Sequence, residues 1–137
     1  MGLKGDTAQL KRIARKVRDA FGPDGMRGLS RNLAEETVEL IREGFDRQGD
    51  PYGRGWAPLK ARAGRILQDT GLLRRFKPTH VTVRGFTVSS GAPYGPFHQS
   101  GTSRMPARKM VPDGGMPARW MQRLERIARG YLKARLQ

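Results

Sequence analysis

Cysteine is absent from the 137 residues, which excludes disulfides, thiolate catalysis and cysteine-based zinc or iron–sulfur centres. Histidine occurs only as His80 and His98, at a spacing that fits no zinc motif. No run approaches the roughly 18 apolar residues of a membrane span, and the opening MGLKGDTAQLKRIARKV lacks the apolar segment of a signal peptide. A soluble protein made in the cytoplasm, with no membrane contact, is the expectation. The phosphate-cradling patterns GxGxxG and GxxxxGK are both missing. Aromatic residues make up 7 % and apolar residues 36 %, while 18 Gly and 9 Pro assign much of the chain to turns. So thin an apolar complement suits one domain that draws part of its stability from partners or from other copies of itself.

Acidic residues are also scarce, 12 against 27 basic ones, for a formal net charge of +15. That excess attracts any polyanion. It is unevenly spread. Between Phe21 and Asp50 seven acids (Asp24, Glu35, Glu36, Glu39, Glu43, Asp46, Asp50) face four arginines, whereas from Arg104 to Gln137 nine bases face two acids. Such polarity suits head-to-tail contact between identical copies, although charge alone does not choose between a ring and a DNA binder.

The spacing of Leu10, Ile13, Ala14, Val17 and Phe21 predicts a short amphipathic helix capped by Asp6 or Thr7 and stopped by the turn GPDG at 22–25. A second helix is expected from Gly28 or Ser30 to Arg47. Leu33, Thr37, Val38, Ile41 and Phe45 line one side, the carboxylates Glu35, Glu36, Glu39 and Glu43 lie on the other, and Arg42 and Arg47 are placed to pair with Glu39 and Glu43. RQGDPYGRGWAPL (47–59) is a loop whose Tyr52 and Trp56 pin it to the core or to a neighbour. DTG at 69–71 caps a short helix through Leu72, Leu73 and Phe76. HVTVRGFTVSSG reads as a β-hairpin turning at Arg84-Gly85, YGPFHQSG (94–101) as an interrupted edge strand, and RKMVP (108–112) as a fourth short strand. From Met116 to Leu136, Trp120, Leu124, Ile127 and Tyr131, beside Met121, Ala128 and Leu132, form the apolar stripe of a terminal helix. Arg119, Arg123 and Arg126 belong to its basic face, and Glu125 pairs with Arg129. The expected class is α+β: two N-terminal helices, a small antiparallel sheet with long loops, and a C-terminal amphipathic helix. There is no internal repeat.

Catalytic chemistry finds little footing. DTG is also the aspartic-protease signature, but there it follows a strand in an apolar setting, and here it precedes Leu-Leu-Arg-Arg. His98 has no Ser or Asp placed with it, so a structural histidine in a strand is the plainer reading. The acidic cluster has the spacing of a solvated helix face. No cofactor or metal is expected. A basic nucleic-acid-binding module is the stronger rival, although aromatics sit on apolar stripes or in loops rather than among the bases.

WAPL (56–59), ILQDTGLL (66–73), YGPFHQSG (94–101) and MPARKMV (105–111) stand in an order and spacing that resembles the phage virion morphogenesis family, the tail completion proteins of tailed bacteriophages. Each motif is short; four in sequence are fairly specific, and the likeness covers about Gly28 to Leu136. Gly95, Pro96 and Lys109-Met110 depart from the family pattern. The resemblance implies a non-enzymatic virion protein at the head–tail junction or tail end, a neck or tail-terminator ring of six copies with DNA passing through its lumen, meeting connector and tail-tube proteins. It further implies that Tyr52, Trp56, Tyr94, Phe97, His98, Gln99, Arg104, Arg108 and Lys109 serve subunit or partner contact, with Arg108 paired to an acid. Glu36, Glu39 and Glu43 of one copy against Arg119, Arg123 and Arg126 of the next are a candidate subunit contact. The basic excess then faces either DNA in the lumen or acidic protein surfaces.

Overall fold

The computed structural model describes residues 7–58, 73–92, 95–103 and 105–137. Its elements are α1 (Thr7–Phe21), α2 (Pro23–Arg47), β1 (Phe76–Thr82), β2 (Gly85–Ser90), α3 (Gly95–Ser100) and α4 (Ala118–Leu136), an α+β arrangement with a two-stranded antiparallel sheet. The predicted cap at Asp6, Leu59 of the WAPL motif, the start of the DTG helix, Tyr94 and Arg104 lie outside the described residues.

Helix α2 is the axis of the structure. It begins at Pro23, earlier than the sequence suggested, so GPDG is no four-residue turn: Gly22 alone separates α1 from α2. The reason is local. Proline has no N–H to waste and its fixed φ suits the first helical position, so it starts a helix as readily as it stops one. At its far end α2 is closed by Gln48 in the left-handed conformation, φ 54°, with its N–H directed to the carbonyls of Gly44 and Phe45.

The buried face of α2 carries Leu40, Ile41 and Phe45, which meet Trp56, Leu73, Ala92, Met110 and Trp120 in the core, with Phe76, Val88, Val111 and Leu124 packed around them. Phe45 and Trp56 stack edge to face, centroids 5.1 Å apart. Helix α4 contributes Trp120 and Leu124, whereas Met121 on the same predicted stripe is exposed. Near its end Tyr131 crosses back to α2 and donates its hydroxyl to the Gly25 carbonyl at 2.8 Å. A Cβ at Gly28 would meet that same hydroxyl, so the Tyr131 side chain would have to shift.

The hairpin forms, but it is longer and turns earlier than expected. β1 starts at Phe76, which therefore belongs to a strand and not to the DTG helix, and the two-residue turn is Val83-Arg84. Pairing runs from Phe76 with Ser90 to Thr82 with Gly85, with an irregularity between Pro78 and His80 that accommodates the proline. His80 lies exposed on it.

Two expected strands do not form. Residues 95–100 are the short helix α3, begun at Gly95-Pro96 and closed by Gly101 at φ 77°, whose N–H bonds to the Phe97 carbonyl at 2.8 Å. A proline in the first turn favours a helix here as it does at Pro23. Residues 108–112 are an irregular segment, because side chains rather than a neighbouring strand satisfy their backbone.

Candidate functional site: a docked loop and a charged helix seam

The loop from α3 to α4 is fastened by side chains that the sequence singled out for contact. Gln99 acts as a substitute strand: its Nε2 donates to the Val111 carbonyl at 2.8 Å, and its Oε1 accepts from the N–H groups of Met110 at 2.8 Å and Val111 at 3.2 Å. Trp56 Nε1 donates to the Lys109 carbonyl at 2.9 Å, so a loop 53 residues upstream grips the same segment. Tyr52 extends that grip, its hydroxyl donating to the Gly115 carbonyl at 2.8 Å and accepting from the Gly114 N–H at 3.1 Å. The upstream loop is itself built by Asp50, whose carboxylate accepts from the N–H groups of Tyr52 and Arg54, both at 2.9 Å.

Arg108 is buried, and the expected acidic partner is replaced by backbone. Its Nε donates to the Ala57 carbonyl at 2.9 Å and its Nη2 to the Pro58 carbonyl at 3.1 Å, while its own N–H bonds to the His98 carbonyl at 2.7 Å. The planar fork of guanidinium reaches two successive carbonyls that a lysine could not span. Gly101 makes the approach possible: a Cβ there would stand 2.7 Å from the Ala107 nitrogen. His98 lies in α3, not in a strand. Burial, and after it the neighbouring Arg108 charge, lower its pKa from the ordinary value of 6.5.

Phe97 is exposed, as is Met116, and Lys109 makes a surface ion pair with Asp113 at 3.1 Å. An apolar cleft of about 520 Å³ opens beside α3, lined by Phe76, Val88, Ala92, Pro96, Met110 and Val111 among others.

The second feature is the seam between α2 and α4. Arg123 donates from Nε to Glu36 at 2.9 Å and from Nη1 to Glu43 at 2.9 and 3.0 Å, and Arg119 stands 3.5 Å from Glu43. These hydrogen bonds, to Glu36 first and Glu43 second, raise the pKa of Arg123 above its ordinary value. Of the acids and arginines expected to meet across a subunit boundary, Glu36 and Glu43 meet Arg119 and Arg123 inside one chain. Glu39 pairs with Arg42 at 2.8 Å as expected; Glu43 turns to α4 instead of to Arg47. Arg126 is exposed on α4, and the Glu125–Arg129 pair forms at 3.9 Å. Sequence spacing reveals contacts within a helix, and the seam joins residues 76 to 87 apart. Only the opposite signs of the two segments hinted at it.

Among the described residues no group of three or more His, Asp or Glu is placed to hold a metal, and no helix is long and apolar enough to cross a membrane. A family model describing the phage virion morphogenesis family matches residues 5–132, and the chain belongs to that family. No curated protein and no solved structure is significantly similar to it. Membership gives the chain a structural role in bacteriophage virion morphogenesis and associates it with the virion.

Proposed function

We propose that the protein is the tail completion or head–tail joining subunit of a tailed phage, a neck or tail-terminator component that assembles into a ring of six copies around a lumen for DNA. The observation that carries this reading is the family match over nearly the whole chain. The fold supports it: the loops are anchored by Trp56, Gln99 and Arg108 as a rigid surface, and apolar side chains such as Phe97, Met116 and Met121 remain outside the protomer core. Connector and tail-tube proteins are the neighbours such a ring would contact.

One observation favours a second reading, a basic nucleic-acid-binding module. Lys11, Arg12, Arg15 and Arg18 of α1 and Arg126, Lys133 and Arg135 of α4 are all exposed, on two helices that touch. Light scattering at low salt and at ~0.5 M salt, where exposed charges are heavily screened, separates the two. A discrete multimer free of nucleic acid supports the ring. A monomer that copurifies with nucleic acid and releases it in salt supports the module.

A further inference from the structure

Helix α1 is amphipathic, yet three large apolar side chains of its stripe stay outside the core. Ile13, Val17 and Phe21, at i, i+4 and i+8, are 51 %, 42 % and 57 % exposed, while Ala20 beside them is fully buried where α1 meets its neighbours. The carbonyls of Asp19 and Ala20 lie so close to Gly25 that a Cβ there would clash, which fixes α1 to α2 at this corner. Around the stripe stand Lys11, Arg12, Arg15 and Arg18, all exposed, against a single acid, Asp19. A helix with three large apolar side chains in water and a cationic rim is a ligand in form, and its complement must be apolar at the centre and acidic at the edge.

The same chain carries such a surface. A groove of about 340 Å³ between α2 and α4 is lined by Asn32, Glu35, Glu36, Glu39 and Ile127. Arg123 engages Glu36 and Arg42 engages Glu39, but Glu35 is exposed, and the groove keeps three carboxylates around one aliphatic side chain. We propose that α1 of one copy docks in this groove of a second copy, its stripe over Ile127 and its lysines and arginines against Glu35 and Glu39. This rests on the ring reading and deepens it by naming the two surfaces.

Charge and geometry favour a second copy over other occupants. A nucleic-acid backbone would neutralise the cations but leave Ile13, Val17 and Phe21 in water. Because the donor and acceptor surfaces differ, the contact is heterologous, the kind that closes into a ring when the rotation permits. At a rise of 1.5 Å per residue the 15-residue α1 is about 22 Å long. In such a ring each copy gives one arm to one neighbour and receives one arm from the other.

The absence of cysteine makes the test direct. Val17→Cys in one copy and Asn32→Cys in a differently tagged copy are mixed and treated with a short bis-maleimide, while wild-type mass is read by light scattering. The proposal expects a covalent mixed dimer, a wild-type multimer, and at least tenfold weaker association for Val17→Asp with an unchanged circular dichroism spectrum. A wild-type multimer without the mixed dimer overturns the α1 groove and leaves the ring standing; a wild-type monomer without it overturns both. Cross-linking of Val17→Cys only to itself overturns the groove in favour of an α1–α1 contact. Flotation of wild type, but not Val17→Asp, with phosphatidylglycerol vesicles and no mixed dimer gives the stripe to a membrane instead.

Discussion

Helices α1 and α4 are written in the same style and used in opposite ways. Both carry an apolar stripe among arginines and lysines, yet α4 sinks Trp120 and Leu124 against Leu40, Ile41 and Phe45, while α1 holds Ile13, Val17 and Phe21 in water. The difference lies in what lies opposite. α4 finds on α2 both an apolar face and the carboxylates of Glu36 and Glu43, so apolar burial and ion pairing act along one seam. α1 is turned at Gly22 and fixed near Gly25, and among its described side chains Ala20 is the buried one. An amphipathic pattern states that a helix has a face to cover; it does not state with what.

The largest expected effect contrasts the two stripes directly. Trp120→Ala should lower stability by about 3–5 kcal/mol through lost burial and the cavity left behind, whereas Val17→Ser should change the monomer by about 0.5 kcal/mol or less. Urea denaturation of both variants under monomeric conditions checks the pair, and equal losses would show that α1 belongs to the core. Next comes Arg108→Ala, expected to cost about 2 kcal/mol because the Ala57 and Pro58 carbonyls lose charged donors at a part-buried site. Arg108→Lys should recover only part of that loss in the same measurement, since one ammonium cannot reproduce the fork.

A smaller effect is expected at the seam. The coupling of Arg123 with Glu36 should come to about 1 kcal/mol in a double-mutant cycle, because the pair is only partly buried. The smallest is the pH response of His98. Its folded-state pKa lies below 6.5, so the unfolded chain binds more protons between the two values. Its contribution is therefore fully present above 6.5 and is lost as pH falls through the folded-state value. His98→Gln should flatten that part of the stability–pH curve, which thermal melts from pH 7.5 to 5 can follow.

Legibility differed by element. Long helices and the hairpin were readable because their periods repeat several times: α4 was placed within two residues of its start, and Val81, Phe86 and Val88 do lie in β1 and β2. Six residues of α3 hold less than two turns, so no period could emerge, and Pro96 suggested a strand edge although it begins a helix. RKMVP at 108–112 suggested a fourth short strand, but Gln99 and Trp56 take the place of a partner strand. Tyr52 and Trp56 were expected to pin their loop, and both, with Gln99 and Arg108, to serve subunit or partner contact; within the protomer the polar groups of all four bond to backbone of the same chain. That substitution of side chain for backbone is a long-range event with no local signature.

By itself the sequence determined the α+β class, the absence of any cysteine-based chemistry, the charge split between α2 and the C-terminal segment, and, through four ordered motifs, the family. These follow from composition and short-range periodicity, which are written into neighbouring residues. Only the tertiary structure decided that Arg123 meets Glu36 and Glu43 within one chain, that Arg108 is held by backbone carbonyls, and that α4 is buried where α1 is exposed. Those outcomes depend on which faces come together after the chain has folded. Burial and pairing energies attach to that juxtaposition, not to any residue taken alone.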